Sequence, residues 1–199
     1  MSETPSRPCA AFDGARLIAA GPLDAVALAV KAALAAGAAG PALTFDDATG
    51  AVVDLDLRGS DAEIVARLGA DEAGAPPPRG RGRPKLGVVA REVTLLPRHW
   101  EWLAAQPGGA SVALRRLVDQ ARRADGGATE ARLGKAAAYR FLSAMAGDST
   151  GFEEAARALF ADDREGFAAR VAAWPADVQA YAKRLAWPAA TAASAPPQD

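Results

Sequence analysis

The sequence has one cysteine, one histidine, two methionines and few aromatic residues. A single cysteine excludes an internal disulfide and a cysteine-cluster metal site. A single histidine excludes a histidine-rich zinc site and catalysis by a histidine pair. Aromatic residues make up 6% of the chain, while 50% of it is hydrophobic by count. Much of that share is alanine, so the expected core is thin and mostly helical. No apolar run reaches the ~20 residues a membrane helix needs; the longest, residues 23–36, is interrupted by Asp24 and Lys31. Residues 1–8 carry Glu3 and no apolar stretch, so no signal peptide is expected. Together these absences point to a soluble, cytoplasmic chain.

Chemistry is also hard to find. There is no phosphate loop, nucleophile elbow or dinucleotide fingerprint. His99 stands alone beside Trp100, and Cys9 lies near a terminus expected to fray. Asp46, Asp47, Asp54 and Asp56 fail the calcium-loop pattern, because the closing glutamate position counted from Asp46 is Leu57. The expectation is a protein that is not an enzyme, with no catalytic residue, no metal and no cofactor.

What is present is an uneven charge. Over 199 residues the formal net charge is −1, but residues 1–78 sum to −6, residues 79–123 to +7 and residues 124–199 to −2. A basic middle between acidic ends marks a candidate polyanion-binding segment.

The pattern divides the chain into parts and makes it α+β. Residues 1–8 are expected to be disordered, and residues 9–70 to form a small β-α-β-β-α domain. Within it, a strand at 15–19 ends at Gly21-Pro22, and a helix at 23–36 follows, with Pro22 before it and Gly37 after it. Strands at 43–46 and 52–57 flank Asp47-Ala48-Thr49-Gly50, a hairpin signal. Ser60 and Glu63 form a capping box for a helix over 61–68. Residues 71–90 read as a basic Pro/Gly/Arg linker, since such a string cannot form a core. Residues 91–124 form a strand-helix-helix module. Residues 130–188 are expected to be a separate helical domain, with helices at 137–145, 152–160, 164–173 and 175–187. Residues 189–199 read as a disordered tail.

The linker holds Arg81-Gly82-Arg83-Pro84, flanked by Arg79 and Lys85. This run resembles an AT-hook, a short element that binds the minor groove of A·T-rich DNA. An A·T-rich minor groove is narrow and strongly negative, and it attracts inserted guanidinium groups. Gly82 lets the backbone sit deep in the groove, and Pro84 directs the chain out along an extended path. Arg81 and Arg83 would lie on the groove floor, with Arg79 and Lys85 on phosphates. A plain arginine-bearing hinge between domains is the other reading.

The module at 91–124 starts with a strand, Arg91-Glu92-Val93-Thr94-Leu95-Leu96, that ends at Pro97. A helix follows over 98–106, with Trp102 and Leu103 as core candidates. After Pro107-Gly108-Gly109, Ser111 caps a second helix over 112–123, whose apolar face is Leu114, Leu117, Val118 and Ala121. The arrangement resembles a ribbon-helix-helix domain, in which strands from two chains pair and enter the major groove. That resemblance implies a homodimer. In that family, positions two and four before the proline face DNA and are polar; here they are Leu95 and Val93, so the alternation is out of phase. The helices alone read equally as a helix-turn-helix pair, with Arg115, Arg116, Arg122 and Arg123 off the apolar face, or as an αα-hairpin with a solvated basic side.

Four further runs carry a wider likeness. They are Ala11-Phe12-Asp13-Gly14, the hairpin Phe45 to Gly50, the block Gly82 to Trp100 and the segment Tyr139 to Asp148. With them the chain resembles an uncharacterised bacterial family, domain of unknown function 2239. The resemblance spans nearly the full length and implies a bacterial protein, but no activity.

The expected function is binding of duplex DNA, at an A·T-rich minor groove, by a regulator or a chromosome-associated (nucleoid) factor. The expected contacts are Arg79, Arg81, Gly82, Arg83, Pro84, Lys85, Arg91, Arg115, Arg116, Arg122 and Arg123. The alternative is a non-enzymatic interaction or scaffold protein whose basic segment is only a linker.

Overall fold

A computed structural model describes residues 7–38, 40–73 and 91–188. The protein is α+β. Four strands are described: β1 (Pro8–Asp13), β2 (Arg16–Pro22), β3 (Ala42–Asp46) and β4 (Val52–Val53). Eight helices are described: α1 (Leu23–Ala35), α2 (Asp61–Ala73), α3 (Pro97–Ala104), α4 (Gly109–Ala124), α5 (Ala128–Ala146), α6 (Phe152–Phe160), α7 (Arg164–Arg170) and α8 (Ala176–Ala186). No helix among the described residues is long and apolar enough to cross a membrane.

The strands form one antiparallel sheet in the order β2-β1-β3-β4. The central strand β1 has no counterpart in the sequence reading. Its residues are Pro-Cys-Ala-Ala-Phe-Asp, with the middle four buried. An apolar run buried on both faces shows no alternation, which is why the pattern hides it. Cys9 is accordingly fully buried, not frayed. Arg7 and Pro8, expected to be disordered, are tied down by an ion pair from Arg7 to Asp46 and by the β1 ladder.

Successive β1 side chains point to opposite faces. Cys9 and Ala11 pack with Leu23, Val26 and Val30 of α1. Ala10 and Phe12 pack with Phe45 of β3 and with Phe141, Leu159, Phe167 and Tyr181 from the later helices. Residues 9–70 and 130–188, expected as two domains, therefore share one core. Among the described residues, 7–73 and 130–188 fall in one compact unit and 91–129 in a second.

Rings account for much of the shared core. Phe12 lies 5.3 Å from Phe141 and 5.4 Å from Tyr181, and Phe45 lies 4.8 Å from Phe141 at a steep angle. The last two pairs are edge-to-face, which places positive ring edges on negative ring faces. Four aromatic rings, Phe12, Phe45, Phe141 and Tyr181, thus meet where sheet and helices join.

The 47–50 turn is built into that meeting. Gly50 has φ +65°, and a side chain there would run into the backbone of Ala137 on α5. Arg140 donates to the carbonyl of Thr49 at 3.0 Å. The turn thus requires glycine for its backbone angle and for its approach to the helix.

The other elements differ from expectation at their ends. α2 begins as its capping box predicts: the Ser60 amide donates to Glu63 at 2.7 Å and the Glu63 amide to Ser60 Oγ at 3.4 Å. The hydrogen bond from the Ser60 amide holds the Glu63 carboxyl below its usual range. α2 runs on to Ala73, past the predicted end at Leu68. β4 is only Val52–Val53. α5 starts nine residues earlier than predicted, at Ala128, where Asp125 accepts from the amide of Thr129 at 2.9 Å.

In the second unit, residues 91–96 form no strand ladder in the single chain. α3 starts at Pro97, with Leu96 extended before it. α4 starts at Gly109 after Gly108, which has φ +82°, so Ser111 lies inside the helix and does not cap it. Leu103 is buried as expected, but Trp102 is half exposed.

Candidate nucleic-acid interface

The predicted hook, Arg79, Arg81, Gly82, Arg83, Pro84 and Lys85, lies outside the described residues. The described part of the candidate interface is Arg91 and the four arginines of α4.

At 3.6 residues per turn, Arg115, Arg116, Arg122 and Arg123 fall on one side of α4, within an arc of about 120°. Leu114, Leu117, Val118 and Ala121 fall on the opposite side. Arg91 and all four helix arginines are exposed. Arg122 and Arg123 also occupy the last turn of α4, where positive charge complements the helix dipole. Arg115 Nε donates to the carbonyl of Ser111 at 3.1 Å, which holds its guanidinium along the helix. Asp119 lies among these arginines and leaves the face positive.

In the first unit most arginines are matched to acids, among them Arg7 to Asp46, Arg58 and Arg67 to Asp56, and Arg184 to Asp47, while Arg132, Arg140, Arg164 and Arg170 make no ion pair among the described residues. Every ion pair among the described residues belongs to that unit, and none involves Arg91, Arg115, Arg116, Arg122 or Arg123.

Of the four acidic residues weighed in the sequence, Asp54 is exposed and the other three have structural partners. Asp46 is 2% exposed. Burial alone would raise its pKa, but hydrogen bonds from Thr49 and Arg7 outweigh that and hold the carboxyl below its usual range. Asp56 is held low first by the hydrogen bond from the Arg58 side chain. Asp47 accepts from the Tyr181 hydroxyl at 2.8 Å and pairs with Arg184 at 3.1 Å. No group of three or more His, Cys, Asp or Glu side chains among the described residues could hold a metal ion. His99 is exposed.

A second polar cluster escaped the sequence reading. Asp162 has φ +60°, rare for a residue with a side chain. Its carboxylate accepts from Trp187 Nε1 at 2.7 Å and pairs with the largely buried Lys135 at 2.9 Å. The Lys135 hydrogen bond, then that of Trp187, holds its pKa down. Three segments far apart in sequence meet there, and no local spacing signals it.

Residues 8–186 match the family model described as "Uncharacterized protein conserved in bacteria (DUF2239)". No curated protein and no solved structure matches the chain.

Proposed function

We propose that this chain, which belongs to the uncharacterised bacterial family DUF2239, binds duplex DNA and performs no chemistry of its own. The observation that carries the reading is the α4 face of Arg115, Arg116, Arg122 and Arg123, exposed and without an ion pair among the described residues. A helix fits the width of a major groove, and guanidinium groups on its side neutralise phosphates and release counterions. The Arg81-Gly82-Arg83-Pro84 run adds a minor-groove element with a preference for A·T-rich sequence. Arg79, Lys85 and Arg91 add phosphate contacts. A protein of this kind acts as a regulator or a chromosome-associated factor.

The second reading is a scaffold or interaction protein in which the basic segment only links domains. The exposed Trp100 and Trp102 of α3 favour it, at 41% and 50% exposure.

A gel-shift titration with A·T-rich and G·C-rich duplexes at two salt concentrations separates the readings. DNA binding predicts a complex that weakens steeply with salt and is tighter on A·T-rich duplex. No shift on either duplex at low salt would leave the scaffold reading.

A further inference from the structure

The second unit leaves most of its apolar surface open. Among described residues 91–129, only Leu103 and Ala113 are buried. Two helices of 8 and 16 residues with two buried side chains between them do not outweigh the entropy of ordering them. Leu96, Trp100, Leu117 and Val118 are 49%, 41%, 39% and 55% exposed. α3 and α4 pack against each other. By helical periodicity, Trp100 and Ala104 on α3 lie to the same side of that contact as Leu114, Leu117, Val118 and Ala121 on α4.

We propose that this face is a dimer interface, covered by the same face of a second copy of the chain. Two features on the molecule select that occupant. The first is charge. Glu101 borders the face on α3, while Arg115 and Arg122 border it on α4, and none of the three makes an ion pair among the described residues. A two-fold axis running along the helices sets each Glu101 against the partner's Arg115 and the partner's Arg122, twice over. The second is area. The exposed apolar side chains offer on the order of 500 Å² per copy, so two copies bury about 1,000 Å², the size at which a specific interface begins.

Arg116 and Arg123 sit further round α4, stay outside the interface and are the α4 arginines that remain for DNA once the dimer forms, so dimerisation brings two basic surfaces into one particle. The proposal does not rest on DNA binding and is tested without DNA. Sedimentation equilibrium of the full chain at micromolar concentration should give a mass near 40 kDa, twice the 20.3 kDa of one chain. Leu117→Asp with Val118→Asp should give 20.3 kDa. Aspartates could also disturb α4, so charge supplies an independent arm. Glu101→Arg should weaken self-association about tenfold or more, and adding Arg115→Glu and Arg122→Glu should restore it. A wild-type chain that sediments as a monomer overturns the proposal. A dimer that survives the Leu117/Val118 change, or an exchange of charges that restores nothing, overturns it equally.

Discussion

Tyr181 donates its hydroxyl hydrogen to Asp47 Oδ1 at 2.8 Å and so ties the last described helix to the turn between β3 and β4. The two residues are 134 positions apart in the chain. Burial, then the charge of Asp47, drives the Tyr181 pKa far up, so the hydroxyl stays a donor at any ordinary pH. Arg184 stacks on the same ring at 4.8 Å and shares the carboxylate.

The Tyr181→Phe variant should lose about 1–2 kcal/mol in urea denaturation, because a hydrogen bond to a partly buried charged acceptor is removed. Arg184→Ala should cost less, about 1 kcal/mol or under, since that side chain is half exposed and water screens the pair. The reverse order would mean that the ion pair, not the hydroxyl, holds the turn to α8.

Gly50→Ala and Gly14→Ala separate backbone strain from steric approach. Both glycines have positive φ, +65° and +56°. A side chain at position 14 meets nothing, whereas one at position 50 meets α5. Gly14→Ala should cost about 1–2 kcal/mol from the backbone angle alone. Gly50→Ala should cost clearly more, read as a larger fall in the denaturation midpoint. Equal losses would show that α5 yields freely.

Acid should expose the role of Asp46. Its folded pKa lies below the ordinary 3.8, so its hydrogen bonds stabilise the fold fully above about pH 4. That contribution is lost as pH falls through the folded value. The Asp46→Asn variant should be less stable at pH 7 and should show a flatter loss of stability between about pH 5 and pH 2. Parallel acid limbs for the two proteins would assign the acid sensitivity to other groups.

For DNA, two sets of substitutions should act differently. Arg81→Ala with Arg83→Ala should weaken binding mainly on A·T-rich duplex. Arg116→Ala with Arg123→Ala should weaken it on both duplexes. Each positive charge lost from the DNA interface, on the groove floor or at a phosphate, releases one fewer counterion and should flatten the slope of log K against log salt by roughly 0.9. Melting temperature should be unchanged in all four positions' variants, since the α4 pair is exposed and the 81–83 run has the composition of a linker. An unchanged slope in both double variants would remove these arginines from the interface.

The sequence alone determined what is local. Pro22 and Gly37 frame α1, Ser60 and Glu63 open α2 by their reciprocal hydrogen bonds, and Phe152–Phe160 runs as read. Each of these depends on atoms a few residues apart. The alternation across α4 was equally legible: arginines on one side, leucine and valine on the other. Tertiary structure decided the rest. β1 is central because it pairs with β2 on one edge and β3 on the other, and with both faces covered Cys-Ala-Ala-Phe shows no period from which a strand could be inferred. That the first 70 residues share a core with residues 130–188 depends on Phe12 and Phe45 meeting Phe141 and Tyr181. Burial of apolar area has no direction and no sequence address. The side chains that satisfy it can therefore come from opposite ends of the chain, and only the folded backbone brings them together.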